Sequence, residues 1–386
     1  MMKRFNFLVL PYRDQYFASR YGLAVRDIQI IAALADSEMV EKVTAINRPV
    51  SIYEWALGRK RRNLSANYNE LEKLSWLDKF SPDLVGPLKG RAWYEKCYAE
   101  YSAELLRSCY RSDCYNVFLD FSPISVLDAS HTDGYLYWYD LIDNFTKHNL
   151  YNDHCRDLVA RKYAYVGKRA DLITAVSDKA ASLFARAQVV PNSVAISASS
   201  APRAACGGHR PDADFGFIGF VTDKFDVDLV TRLSKLGYRI NIYGQVYSQE
   251  IGAALSRIPR VKLFGRHHTG DTPRILGSFK VGLIPYRRDR LHDESPLKLY
   301  QYVNAGKPVL ASTSFGLSMS ALHTYTSMES DADLGVLAST LIEMSEDPAE
   351  VARTKALVSS QDFWDFKISR LLSQLQSLSE GRKVIA

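Results

Sequence analysis

A chain of 386 residues is too long for one compact core and comfortable for two domains. Hydrophobic residues make up 47% and charged residues 24%, which excludes a disordered or fibrous chain and fits a globular protein. The formal net charge of +6 is mildly basic; it favours phosphorylated ligands or a membrane surface as partners and does not demand nucleic acid. Phe5–Leu10 is an apolar run that reads as a buried strand. Tyr12–Tyr21 reads as a polar and aromatic loop. Leu23–Ala35 has helical spacing, with Ile28, Ile31, Ala32 and Leu34 on one side, and Val40–Asn47 is the next strand. A strand, helix, strand series of this kind predicts a parallel sheet covered by helices.

Ser51–Tyr101 departs from that series. It combines Tyr53, Trp55, Leu57, Trp76, Trp93 and Tyr94 with the cluster Arg59-Lys60-Arg61-Arg62. Such an insertion could lie on an anionic bilayer; the alternative is a solvated basic loop beside ordinary core aromatics. Cys114–Phe121 is expected to be a strand. Tyr135–Tyr139 is another, running into the acidic stretch Asp140-Leu141-Ile142-Asp143. Helical spacing follows at His154–Ala164. Leu172–Ser177 is a strand ending at a candidate N-cap, with Asp178–Ala187 as its helix, and Val189–Asn192 closes the series.

Ser197–Asp214, rich in Ala, Ser, Gly and Pro, is the best linker candidate. The pattern then restarts with strands at Phe215–Gly219, Tyr238–Tyr243 and Val261–Gly265, and helices at Asp226–Leu236, Gln249–Ser256 and Thr272–Gly277. The apolar run Val281–Tyr286 precedes a loop, a helix around Lys298, the stop Gly306-Lys307-Pro308 and the strand Val309–Ala311. Ala332–Met344 and Pro348–Ser360 read as helices. Asp362–Leu378 is a last amphipathic helix with Trp364, Ile368, Leu371, Leu372 and Leu375 on one side. The expected fold class is α/β, with two Rossmann-like domains facing across a cleft: 1–200, 212–360, and a helix at 361–386 packing back on the first domain. Ligands of such folds bind at the carboxyl ends of the strands.

The five cysteines, Cys97, Cys109, Cys114, Cys155 and Cys206, are odd in number and include no CxxC, so free thiols in a reducing compartment are expected. No stretch approaches the roughly 18 apolar residues of a membrane span. The first apolar run is too short for a signal sequence and ends at Pro11, which predicts a cytoplasmic protein, peripheral to a membrane if it meets one.

The stretch from Asp293 to Val309 carries the clearest functional signal. A loop running into a helix start offers backbone N–H groups and the positive end of a dipole, which suits a phosphate. Lys298 lies in the first turn of that helix, and Gln301 follows on the same face. Arg287, Arg288 and Arg290 lie just upstream. Asp226-Val227-Asp228 matches the DxD metal pattern, but so do Asp212-Ala213-Asp214 and Asp331-Ala332-Asp333, so the signal is weak and no metal is expected. His267-His268 is either a phosphate or base contact or a surface pair.

The run Pro296-Leu297-Lys298-Leu299-Tyr300-Gln301-Tyr302, with Ala305-Gly306-Lys307-Pro308-Val309, resembles the GT-B glycosyltransferases. In their large retaining group a glutamate pair spans this run; here Asp293 and Gln301 stand at those positions. The run is closer to the GumK-like glucuronosyltransferases of bacterial exopolysaccharide assembly, where a Lys and a Gln match Lys298 and Gln301. That resemblance implies an inverting transferase using a UDP-sugar, with Asp143 as catalytic base and Asp140 as its nearest rival. It implies nucleotide-sugar contacts from Gly219, Val221, Arg266, Tyr286, Ser295, Lys298 and Gln301. It also implies no cofactor beyond the donor, a lipid-linked saccharide or surface polysaccharide as acceptor, and peripheral contact with an anionic membrane at the cytoplasmic face of the inner membrane. No nucleic-acid partner is expected. A retaining enzyme with a degenerate glutamate pair, or an inactive nucleotide-sugar binder serving a partner, are the alternative readings.

Overall fold

The computed structural model describes residues 3–57, 71–98, 101–125, 134–194, 211–326 and 330–385. The basic cluster Arg59–Arg62, His131, Cys206 and most of the expected linker Ser197–Asp214 lie outside the described residues. The chain forms two compact units. The first comprises Met1–Pro191, His292–Glu294 and Trp364–Ala386; the second comprises Asn192–Leu291 and Ser295–Phe363.

The strands of the first unit are β1 (Phe5–Leu10), β2 (Val40–Ile46), β3 (Val50–Ser51), β4 (Leu74–Leu77), β5 (Phe80–Ser81), β6 (Tyr115–Asp120), β7 (Tyr135–Leu141), β8 (Leu172–Ala175) and β9 (Ala187–Val189). Seven of them form a parallel sheet in the order β4-β2-β1-β6-β7-β8-β9, and β3 pairs with β5 apart from it. A parallel strand with helices on both faces is buried on both sides, and β1, β6 and β7 are buried at every residue. Alternation along β7 sends Tyr135, Tyr137, Tyr139 and Leu141 into one core and Leu136 and Trp138 into the other.

The local differences from the sequence reading have identifiable causes. Gln15–Tyr21 is a helix, not a loop, because the Asp14 carboxylate accepts the Phe17 N–H at 3.0 Å and caps it. Strand β7 runs two residues further than expected, so Asp140 is a strand residue. The helix after β8 is a single turn, Asp178–Ala181, because Ala187–Val189 pairs with β8 as an edge strand. The last helix, Trp364–Ile385, belongs to the first unit. Its Trp364, Ile368, Leu371, Leu372 and Leu375 are buried in the core with Phe7, Val9 and Trp138, and Trp364 Nε1 donates to Gln29 Oε1 at 2.8 Å.

The second unit has β10 (Ala213–Ile218), β11 (Ile240–Tyr243), β12 (Val261–Gly265), β13 (Phe279–Ile284), β14 (Val309–Ala311) and β15 (Leu322–Thr324). They form one parallel sheet in the order β12-β11-β10-β13-β14-β15. Among the described residues no helix is long and apolar enough to cross a membrane.

Candidate active site

In the second unit the chain starts at β10, adds β11 and β12 on one side, then returns to add β13, β14 and β15 on the other. The reversal between β10 and β13 opens a crevice at their carboxyl ends, the place where open parallel sheets bind ligands. Gly219 ends β10 with φ 138°, and its N–H donates to Tyr243 O at 2.9 Å. Gly244 follows β11 with φ 155°; a Cβ there would meet Gly219 O at 1.6 Å. Only glycine allows these two strand ends to approach so closely.

Tyr286 follows β13 by two residues, and Lys298 lies in the first turn of the helix Leu297–Asn304. The Lys298 ammonium donates to the Tyr286 hydroxyl and sits 4.7 Å from the centres of both the Tyr286 and Phe217 rings. A Cβ on Gly219 would lie 3.0 Å from Lys298 Nζ. Lys298, Tyr286 and Gly219 therefore converge at the crevice. The helix begins after Pro296 and has no acidic residue in its first turn, so Lys298 stands at its positive end. An ammonium steadied by aromatic faces beside a helix start is chemistry for a phosphate.

The other residues expected here have different surroundings. Val221 is fully buried; its N–H donates to Gln245 O at 3.0 Å and its carbonyl accepts from Tyr247 N at 2.9 Å, so it holds the β10 and β11 loops together. Ser295 is buried, its carbonyl accepting from Asn192 Nδ2 and its hydroxyl 3.3 Å from Tyr300 OH. Arg266 is exposed just past β12, the edge strand, two strands from β10. Gln301 is half-buried one turn after Lys298. Arg287 is paired with Asp289, Arg290 lies 3.5 Å from the same carboxylate, and Arg288 is engaged by Ser312 O and Tyr325 O. Asp226 of the DxD pattern caps the helix Val227–Lys235 and accepts from Tyr325 OH at 2.9 Å. His268 accepts the Gly270 N–H at 3.1 Å and caps a short turn; burial holds the neighbouring His267 below the usual histidine range. Among the described residues no group of three or more His, Cys, Asp or Glu could hold a metal ion.

In the first unit, the strand alternation gives the two candidate carboxylates different surroundings. Asp140 shares the face of Leu136 and Trp138. Its oxygens accept from Arg26 Nε at 2.7 Å, from Arg26 Nη2 at 2.8 Å and from Thr174 Oγ1 at 2.6 Å, and both partners of the ion pair are buried. Arg26 in turn lies 5.0 Å from the Trp364 ring. This carboxylate is taken up in holding helices to the sheet.

Asp143, two residues beyond β7, is 23% exposed at its side chain. Its Oδ1 accepts the Asn144 N–H at 3.0 Å and its Oδ2 lies 3.5 Å from His292 Nδ1. His292 Nε2 accepts the Asn149 N–H at 3.3 Å, which assigns the ring proton of the neutral imidazole to Nδ1, facing Asp143. The segment His292–Glu294 is fastened to the same loop. Asn144 N donates to His292 O at 2.9 Å, and Asp293 accepts from Asn144 Nδ2 and Lys147 Nζ at 2.8 Å each. Burial pushes the Asp293 carboxyl up, but those bonds outweigh it and hold the group below the usual carboxylate range. Asp293, with φ 62°, is thus an anchor of the first unit. Nothing local in the sequence announces the His292–Asp143 pair, whose members are far apart along the chain.

The carboxyl ends of β1, β2 and β6 border a cavity of about 250 Å³, lined by Tyr12, Arg13, Arg48, Tyr94, Tyr98 and Ser125 among others. It lies at the reversal point of this sheet, between β1 and β6. A buried pair shapes one wall: Lys162 Nζ donates to Asp120 and to Ser125 O, and Asp120 Oδ1 accepts the Ser122 N–H at 2.8 Å. Burial drives the Asp120 carboxyl up and the Lys162 amine down. The only local sequence signal for this site is Asp14, three residues before Phe17 at the start of a helix within the expected loop Tyr12–Tyr21.

No family model matches the chain, and no curated protein matches it. Solved structures do. AviGT4, a glycosyltransferase involved in avilamycin A biosynthesis, is 15% identical over 97% of this chain and 98% of its own, with a TM-score of 0.58. The alpha,alpha-trehalose 6-phosphate synthase from Burkholderia multivorans is 11% identical over 100% and 98%, with a TM-score of 0.57. An alpha-glucosyltransferase solved with UDP and DNA is 11% identical over 97% and 100%, with a TM-score of 0.54. Likeness at this level of identity speaks to architecture, and the chain has the α/β fold of the GT-B glycosyltransferases.

Proposed function

We propose that this protein is an inverting glycosyltransferase that moves a sugar from a UDP-sugar to a lipid-linked oligosaccharide or surface polysaccharide acceptor, nearest in kind to the GumK-like enzymes. The observation that carries the reading is the convergence of Lys298, Tyr286 and Gly219 at the reversal point of a GT-B-type sheet. UDP is favoured because a structure of the same fold was solved with it. In this reading the acceptor oxygen forms a bond to the anomeric carbon as the bond to the diphosphate oxygen breaks. Asp143 takes the hydroxyl proton, and UDP departs with the electron pair of the broken bond. The charge that develops on the diphosphate is met by the Lys298 ammonium and the start of its helix, so no metal ion is invoked. Asp143 is favoured over Asp140 because its carboxylate is partly exposed and oriented by His292, whereas Asp140 is locked to Arg26.

A peripheral place at the cytoplasmic face of a membrane belongs to the same proposal. The small β3/β5 subdomain exposes Trp55 (55%), Leu57, Leu84 (71%), Val85 and Leu88, an apolar set that suits a bilayer interface. The deciding experiment is a thermal-shift panel of UDP, GDP, dTDP and their sugars, followed by acceptor-dependent UDP release and NMR of the product's anomeric configuration. Inverted configuration from a UDP-sugar is expected. Retained configuration would transfer the assignment to a retaining enzyme. UDP binding with neither hydrolysis nor transfer would leave an inactive nucleotide-sugar binder.

A further inference from the structure

The cavity of the first unit contains a cation that the transfer chemistry leaves unused. Arg13 follows β1 by three residues, and its guanidinium lies 4.7 Å from the Tyr12 ring centre and 4.9 Å from that of Phe17. Two aromatic faces fix the guanidinium plane. Its Nε is buried without a hydrogen-bond partner, and no ion pair engages the guanidinium among the described residues. The second arginine of the cavity is satisfied: Arg48 donates to both oxygens of Glu54 and lies over Trp93. The Asp14 carboxylate caps the following helix. Asp27 accepts the Arg13 backbone N–H at 2.7 Å, yet its Oδ1 makes no hydrogen bond. Arg13 is half-buried and its charge acts on the Asp27 carboxyl, but its buried Nε–H lacks an acceptor, so the site favours an occupant that supplies oxygen acceptors in the guanidinium plane.

The geometry points to Arg13 as the clamp for an anionic group: the cavity takes a sugar unit bearing a carboxylate or a phosphate. Tyr94 and Tyr98 line the cavity and bring aromatic surface and a hydroxyl each to its wall, the kind of lining a sugar ring uses. The size of the cavity suits one monosaccharide. Tyr12 also packs 5.2 Å from Phe145, two residues past Asp143, so the cavity and the Asp143 loop share a wall. This rests on the reading that the first unit receives the acceptor, and it adds the chemical class of that acceptor: an anionic saccharide.

The test is calorimetric titration of the full chain with glucuronate, glucose 1-phosphate and glucose, on wild type, Arg13→Gln and Arg13→Lys. At least one anion is expected to bind about tenfold or more tighter than glucose. Binding of glucuronate alone identifies a carboxylate as the group, and binding of glucose 1-phosphate alone identifies a phosphate. Arg13→Gln should lower affinity for the anion by about tenfold and leave glucose unchanged, with Arg13→Lys between. Equal binding of glucose and the anions, no binding of any probe, or an unaltered anion affinity in Arg13→Gln overturns the inference. If Arg13→Gln does not fold by circular dichroism, the wild-type preference and the Lys variant decide it. UDP affinity, measured in parallel, separates this from the transfer reading. Anion binding without any transfer would remove the transferase and keep the clamp; transfer to neutral acceptors with anions ignored would do the reverse.

Discussion

Asp140→Asn should unfold the first unit more than it harms chemistry. The perturbation removes the negative half of a pair in which Asp140 is 0% and Arg26 is 3% exposed at the side chain. Arg26 loses two charge-assisted contacts, at 2.7 and 2.8 Å, and its guanidinium stays buried beside Trp364. Thr174 Oγ1, which also accepts from Trp138 Nε1 at 2.8 Å, faces an amide in place of a carboxylate. Breaking a buried pair by removing one partner costs about 3–5 kcal/mol. That is a large share of the roughly 5–15 kcal/mol that holds a domain folded. The assay is urea unfolding of the full chain followed by fluorescence, with Arg26→Met/Asp140→Leu as a companion that removes both charges and should recover part of the loss. If Asp140→Asn unfolds within about 1 kcal/mol of wild type and yet abolishes transfer, the structural role assigned to it is wrong and Asp140 becomes the catalytic carboxylate.

Four further outcomes are expected. Asp143→Asn should keep the fold and UDP affinity but abolish acceptor-dependent UDP release; wild-type turnover would refute its role as base. Lys298→Ala should weaken UDP binding by about 10- to 100-fold, the equivalent of the roughly 1.5–3 kcal/mol of a charged hydrogen bond, and an unchanged calorimetric affinity would exclude the diphosphate role. His292→Gln removes the Nδ1–H facing Asp143; the acid limb of the pH–rate profile should move upward while UDP affinity holds, and an unmoved profile would make His292 a simple tether. Asp27 is fully buried, and burial lifts its carboxyl to about 6 against the opposing bonds and charge of Arg13. Folded Asp27 therefore stays protonated where the unfolded chain ionises, so stability falls as pH rises from about 4 to 6, by about 3 kcal/mol from this group. Asp27→Asn should gain over wild type at pH 7 and lose that advantage at pH 4; an equal difference at both, from urea midpoints, would show that this carboxyl does not titrate as described.

The α/β class, most of the strands and the last helix were legible because each leaves a local period: apolar runs bounded by breakers, and Trp364, Ile368, Leu371, Leu372 and Leu375 along one helix face. Lys298 was legible for the same reason, since a helix start and a lysine in its first turn are neighbours in sequence. Short edge strands such as β4, β9 and β15 were not, because three or four residues carry too little pattern to stand out before they pair.

What the tertiary structure decided is which residues meet. Asp140 and Asp143 are three positions apart, and local pattern does not separate their surroundings; only the resemblance puts Asp143 first. Strand β7 runs to Leu141, which places Asp140 on the face that meets Arg26, 114 residues away, and leaves Asp143 beyond the strand end. The same holds for His292 and Asp293, which lie next to the Lys298 helix in sequence yet belong to the first unit. Periodicity reports what one element buries, and so the sequence alone determined the elements. Partners brought together by sheet order and long-range packing leave no mark on local pattern, so only the folded chain could assign Asp143 its histidine, Lys298 its aromatic cradle and Arg13 its cavity.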